Sequence, residues 1–173
     1  MKIEACRVPA ASVVGSHAID GAYFSDAYRA PVQNEQASVV DIFFSIFGHL
    51  PLWMKRALIT RNWLAGACGL EVPTREEIMK PMAKSDYNLG DKIGPWPIFA
   101  LTDTELVAGR DNKHLDFRLS VFREKSALGT NAVISTICTT HNTFGKLYIL
   151  FIAPFHKWGV KWLIAKAVTS GRL

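Results

Sequence analysis

The chain of 173 residues contains little cysteine and no long apolar run. Its three cysteines, Cys6, Cys68 and Cys138, are far apart and outside any CxxC spacing. This pattern argues against a disulfide framework and favours reduced thiols, so we expect a cytoplasmic protein. The most apolar tract, residues 147–155, is about half as long as the ~20 residues that cross a bilayer. Residues 1–11 lack the apolar stretch of a secretory signal, so we expect no cleaved leader.

Signatures of nucleotide and metal binding are also missing. The glycines form neither a GxGxxG pattern nor a phosphate-binding loop, and the histidines lack the helical spacing of metal ligands. We therefore expect no nucleotide, no metal and no other cofactor. Hydrophobic residues make up 49% and charged residues 20%, which excludes disordered, collagen-like and coiled-coil classes. The length suits one core, so we expect a single domain over residues 1–173.

Acidic residues are absent from one end of the chain. The net charge is +5, and residues 126–173 hold all of the basic excess with no Asp or Glu. The cations there are Lys146, Lys157, Lys161, Lys166 and Arg172. Such asymmetry can indicate an anionic partner, either nucleic acid or a lipid surface. A nucleic-acid arm would contain adjacent lysines and arginines, so we expect no nucleic-acid partner and favour a solvated basic helix face.

The first half of the chain predicts one strand and two helices. Aromatic residues within 23–32 predict the first strand. Ser38 is an expected N-cap with Asp41 as its reciprocal partner, and the helix that follows ends at Gly48. A second helix comes directly afterwards, so that residues 38–68 form a bent helix pair.

The region 93–141 predicts several antiparallel strands. Residues 115–121 alternate apolar and polar side chains, which is typical of a strand with one buried face. A tight turn over residues 110–113, with Asp111 and Asn112 at its centre, is expected to join this strand to the preceding one as a hairpin. Pro95 and Pro97 cannot donate hydrogen bonds to a neighbouring strand, so we expect their segment at a sheet edge or a bulge.

The last element is a long helix over residues 143–168, with Thr143 as the expected N-cap and a bend at Pro154. An aromatic stripe recurs along it at three- and four-residue steps: Tyr148, Phe151, Phe155, Trp158 and Trp162. We expect the sheet to bury this stripe. We expect the lysines to lie on different sides of the helix rather than along one face.

This order of elements resembles the helix-grip fold of the START and Bet v 1-like (SRPBCC) superfamily. The implied fold class is α+β, with a curved antiparallel sheet wrapped around the long C-terminal helix and a bent pair of short helices after the first strand. Several segments resemble a bacterial family, domain of unknown function 2867 (DUF2867): residues 46–49 (IFGH), 94–99 (GPWPIF), 114–119 (HLDFRL) and 154–156 (PFH). This likeness runs from about Asp26 to Lys166.

The superfamily resemblance implies a cavity between the sheet and the last helix, which can hold sterols, lipids, polyketides or other apolar molecules. Our leading hypothesis is therefore the binding of a small apolar or amphipathic ligand. The predicted lining residues are Trp96, Phe99, Phe117, Tyr148, Phe151, Phe155 and Trp158. A less favoured alternative is a peripheral membrane or interaction module that uses the basic, aromatic last helix, and exposure of Trp158 and Trp162 would favour it. The sequence leaves the oligomeric state open.

A few members of that superfamily are enzymes, so polar clusters were considered as catalytic candidates. His114, Asp116 and Arg118 share one strand face, which would place a carboxylate between two cations. An ordinary strand whose polar side chains face solvent would show the same alternation of residues. His141 lies where the last strand meets the long helix, and Cys138 has the opposite strand parity to it, which excludes a nucleophile pair. We therefore predict no catalytic site, and an enzyme using His114, Asp116 or His141 remains the alternative.

Overall fold

The chain forms an α+β fold in a computed structural model that describes residues 3–15, 21–67, 72–79, 84, 86–127 and 129–173. The strands within these residues are β1 (Glu4–Ala5), β2 (Phe24–Pro31), β3 (Lys92–Ile93), β4 (Trp96–Leu101), β5 (Glu105–Asp111), β6 (Leu115–Ser126) and β7 (Gly129–Thr140). The helices are α1 (Val39–Phe47), α2 (Leu52–Ala67), α3 (Arg75–Met79) and α4 (Thr143–Thr169). The predicted fold class is thereby confirmed.

The seven strands form one open antiparallel sheet in the order β1-β2-β7-β6-β5-β4-β3. The predicted hairpin is present, because Asp111 pairs with Asp116 at the end of β5 and β6. Its turn is held by the Asn112 side-chain oxygen, which accepts hydrogen bonds from the backbone N–H groups of His114 and Leu115 at 3.0 and 3.1 Å. The segment with Pro97 is next to the edge rather than at it, since β4 pairs with β5 and with the two-residue edge strand β3. The other predicted feature, a bulge, lies in β4 between Ile98 and Ala100.

The predicted capping box at α1 is confirmed. The Asp41 N–H donates to Ser38 Oγ at 3.1 Å, and the Ser38 N–H donates to the Asp41 carboxylate at 3.0 Å. Helices α1 and α2 meet at an angle of 91°. Within the described residues, no single helix is long and apolar enough to cross a membrane, although this bent pair passes that test of length and composition when taken together. Cys68, at the predicted end of α2, lies outside the described residues.

The N-cap of helix α4 is Asn142, one residue before Thr143, which the sequence predicts as the N-cap. The Asn142 side chain accepts a hydrogen bond from the Gly145 N–H at 3.0 Å. A Cβ atom on Gly145 would collide with the carbonyl oxygen of His114. The start of α4 is therefore pressed against the turn between β5 and β6, and Pro154 lies within the helix.

The main core lies between one face of the sheet and two helices. Helix α4 packs against β2, β7 and α1, whereas α1 covers β5 and β6. The C-terminal half of α4 contributes the buried aliphatic residues Val160, Leu163, Ile164, Ala167 and Val168. On the opposite face of the sheet, Val14 from the N-terminal segment packs with Val107 and Ile137.

The expectation that the sheet buries the aromatic stripe of α4 is wrong for the middle of the helix. Phe151, Phe155 and Trp158 are 71%, 74% and 56% exposed. The face of α4 that meets the sheet is the aliphatic one, and Phe151, Phe155 and Trp158 point away from it. Tyr148 and Trp162, at the two ends of the stripe, are half-buried and pack against the core.

Candidate functional site

An apolar cleft of about 580 Å³ lies between the sheet, helices α1, α2 and α3, and the middle of α4. Aromatic and aliphatic side chains make up most of its wall. The sheet contributes Phe24, Trp96, Leu115, Phe117 and Leu119, α1 contributes Phe43, Phe44 and Phe47, α2 contributes Met54 and Leu58, and α4 contributes Tyr148, Ile149, Ile152, Phe155, Trp158 and Leu163.

Two small residues of α4 leave part of the cleft open. Ala153 and Gly159 are both lining residues, and a Cβ atom on Gly159 would meet no other atom within 4 Å. Large side chains join α2 to α4 at two places. The Trp53 ring lies 5.8 Å from that of Trp158, and about two turns further along α2 the Arg61 guanidinium lies over the Tyr148 ring. Arg61, Tyr148 and Trp158 all line the cleft.

Two arginines are among the few polar groups in the wall. The Arg61 guanidinium lies 5.3 Å from the centroid of the Tyr148 ring. Burial raises the pKa of the Tyr148 hydroxyl, and the positive charge of Arg61 opposes this shift. Arg110 donates from Nη2 to the Pro95 carbonyl at 3.0 Å, while its buried Nε has no acceptor among the described residues. Both arginines can bind the polar end of a molecule in the cleft.

A histidine that the sequence analysis did not place in the site lies in the wall with a carboxylate behind it. His156 Nε2 lies 3.0 Å from Thr136 Oγ1 and 3.6 Å from Asp26 Oδ1. The Asp26 side chain is only 7% exposed and accepts a hydrogen bond from the Tyr28 hydroxyl at 3.1 Å. Burial, with the negative charge of Asp26, raises the pKa of Tyr28. The grouping depends on the pairing of Asp26 with Thr136 across β2 and β7, which no sequence pattern specifies.

Cys138 also lines the cleft, and its thiol is buried as predicted. Burial raises the pKa of Cys138 to about 12, and the nearby Asp26 carboxylate adds to the shift. The side chain therefore remains a neutral thiol and acts as a small apolar group.

The three catalytic candidates do not line the cleft. His141 Nε2 lies 3.0 Å from Asp116 Oδ1, and His114 contacts the N-cap Asn142 through its ring nitrogen. Arg118 pairs with Asp111 rather than with Asp116, so the expected cation–carboxylate–cation array does not form. These contacts join the hairpin turn to the start of α4. Among the described residues, no group of three or more His, Cys, Asp or Glu could hold a metal ion.

Five of the predicted lining residues are in the cleft wall: Trp96, Phe117, Tyr148, Phe155 and Trp158. Phe99 and Phe151 are not. Phe99 is 39% exposed and lies 3.7 Å from the Arg118 guanidinium, because side chains alternate along β4 and Phe99 points away from the face that carries Trp96. Phe151 lies on the exposed side of α4.

A family model described as "Protein of unknown function (DUF2867)" matches residues 18–162, which is most of the chain. The chain therefore belongs to this family. Searches of curated proteins and of solved structures return no match to it.

Proposed function

We propose that this member of the DUF2867 family binds one small apolar or amphipathic molecule in the cleft between the sheet and α4. The observation that carries the proposal is an apolar cleft of about 580 Å³ that the chain's own side chains leave unfilled. Pockets that bind small molecules typically measure about 300–1,000 Å³ and are lined by apolar groups with a few polar ones.

Physical chemistry favours an occupant for such a cleft. Apolar surface in contact with water costs about 25 cal/mol per Å², and a void forfeits dispersion contacts on one side. A ligand that covers Phe117, Ile149 and Phe155 recovers both contributions. Displacing water from these side chains would therefore provide most of the binding free energy.

The arginines in the wall indicate that the ligand has a polar end. Arg61, Arg110 and Glu77 line the cleft, and Glu77 interacts electrostatically with Arg110. The Nε of Arg110 nevertheless has no hydrogen-bond acceptor among the described residues. A carboxylate or another hydrogen-bond acceptor at one end of an apolar molecule would satisfy this donor. An amphipathic acid with a hydrocarbon body is the ligand class that best fits these features.

The test uses the open space beside Gly159. An environment-sensitive apolar dye is expected to bind at one site per monomer and to be displaced by a fatty acid. In Gly159→Phe the new ring enters the cleft, so dye binding should be lost, whereas the matched control Gly159→Ala adds one methyl group and should retain it. Equal binding by the two variants would place the dye elsewhere and contradict the proposal. Native mass spectrometry of the purified protein would show any molecule carried through purification.

A further inference from the structure

Exposed apolar side chains are concentrated on α2 and α4, beside the cleft. Of the thirteen large hydrophobic side chains that are exposed among the described residues, nine belong to these two helices. We call these nine the apolar rim: Leu52, Trp53, Trp63, Leu64, Leu147, Leu150, Phe151, Phe155 and Trp158. Their exposed fractions run from 48% to 74%, which is high for a group of large apolar side chains.

The apolar rim is continuous across the two helices. Phe151, Phe155 and Trp158 follow one another at four- and three-residue steps and so share one side of α4. The ring of Trp53 on α2 lies 5.8 Å from that of Trp158, which joins the two halves of the rim. Phe155 and Trp158 also line the cleft, so the apolar rim adjoins it on the α4 side.

Positive charge accompanies the apolar rim. Helix α2 carries three lysines and arginines and α4 carries four, and neither helix contains an Asp or Glu. Lys157 lies over the Phe24 ring at 5.4 Å and Lys161 over the Tyr28 ring at 5.2 Å, so these two lysines are on the β2 side of the helix rather than on different sides of it. The two helices that carry the apolar rim are therefore also basic.

We propose that the apolar rim docks on a lipid bilayer that contains anionic phospholipid, with the α4 side of the cleft nearest the membrane. Tryptophan and phenylalanine favour the boundary between headgroups and acyl chains, and lysine stems cover apolar surface while their ammonium groups reach phosphate. The absence of carboxylates from both helices favours an anionic surface and removes repulsion from it. Docking does not require the ligand proposed above, because only Phe155 and Trp158 of the nine rim residues also line the cleft.

The test is sedimentation of the full chain with two kinds of vesicle, phosphatidylcholine alone and phosphatidylcholine mixed with phosphatidylserine. The protein is expected to sediment with the mixed vesicles, more weakly with neutral ones, and less as salt is raised. The double variant Leu150→Ser/Phe151→Ser, at two rim residues outside the cleft wall, should weaken this binding roughly tenfold or more. The matched control is Leu89→Ser, since Leu89 is as exposed as Phe151, at 71%, but lies outside the apolar rim.

Several outcomes would overturn the proposal. Equal sedimentation with both vesicle types would show that the positive charge does not contribute to binding. Equal losses of binding in the control and in the double variant would show that the apolar rim does not contribute either. If light scattering shows a dimer that Phe151→Ser dissociates, and no vesicle binding occurs, a second copy of the chain covers the rim instead. Gly159→Phe separates this proposal from the cleft, because it should abolish dye binding and leave sedimentation unchanged.

Discussion

Ser12 donates a hydrogen bond from its hydroxyl to Oε1 of Glu105 at 2.5 Å, although 93 positions of sequence separate them. Glu105 is 1% exposed and accepts two further hydrogen bonds, from the Ser120 hydroxyl at 2.6 Å and from the Val13 N–H at 2.7 Å. This buried carboxylate therefore fixes the N-terminal segment to the face of the sheet opposite α4.

Replacing Glu105 by glutamine should lower the free energy of unfolding by about 1–3 kcal/mol, because an amide NH₂ cannot accept from the donors that now meet a carboxylate oxygen. Urea denaturation measures the effect. Glu76, which is exposed on α3, provides the control, and Glu76→Gln should stay within about 0.5 kcal/mol of the parent. Equal effects from the two substitutions would mean that the Glu105 hydrogen bonds contribute little to stability.

The two sides of α4 should respond differently to truncation. Ile164 is fully buried, so Ile164→Ala should cost about 2–5 kcal/mol of stability, whereas Phe151, at 71% exposed, should tolerate Phe151→Ala within about 0.5 kcal/mol. Thermal melts of both variants give the comparison. A large loss in Phe151→Ala would show that the aromatic side of the helix is buried after all.

Replacing either of two glycines of α4 by alanine should change the stability of the fold, but in opposite directions. Gly159→Ala meets open space and removes a flexible residue from a helix interior, so it should raise stability by up to about 1 kcal/mol. Gly145→Ala should lower it, because the new methyl group would collide with the carbonyl oxygen of His114. Urea melts of the pair decide the point, and stabilisation by both would contradict the close approach of α4 to the hairpin turn.

The thiol of Cys138 should resist alkylation by iodoacetamide at pH 8 in the folded protein and react once urea unfolds it, as followed by peptide mass spectrometry. Its pKa is about 12 in the fold against an ordinary value of 9.0. The unfolded chain therefore releases the proton first, so the stability that the neutral thiol contributes is complete below pH 9 and is lost as pH rises toward 12. Stability should fall less steeply over this range in Cys138→Ala. Parallel pH profiles for the two proteins would contradict the raised pKa.

Short-range signals in the sequence predicted most of the secondary structure correctly. The capping box of Ser38 and Asp41 and the turn near Asp111 each involve residues only a few positions apart. A side chain that caps a helix or shapes a turn acts on backbone groups next to it, so its effect is present in the sequence itself. The choice of Asn142 over Thr143 as N-cap shows that such signals are accurate to about one residue.

The candidate site was harder to predict from the sequence, since it depends on the register between strands and on which elements pack against each other. The separation of Arg118 from Asp116 and the meeting of His156 with Asp26 both follow from strand pairing and from the placement of α4 on the sheet. Strand parity shows which side chains share a face, but not which residue of another element approaches them.

The sequence by itself determined that α4 would form, that it would carry an aromatic stripe, and that its charge would be positive. Only the tertiary structure decided which side of α4 is buried. Periodicity defines directions around a helix axis without saying where the sheet lies, and here the aliphatic side with Ile164 meets it. Because that side is occupied by the contact with the sheet, Phe151, Phe155 and Trp158 on the other side of α4 remain exposed to solvent.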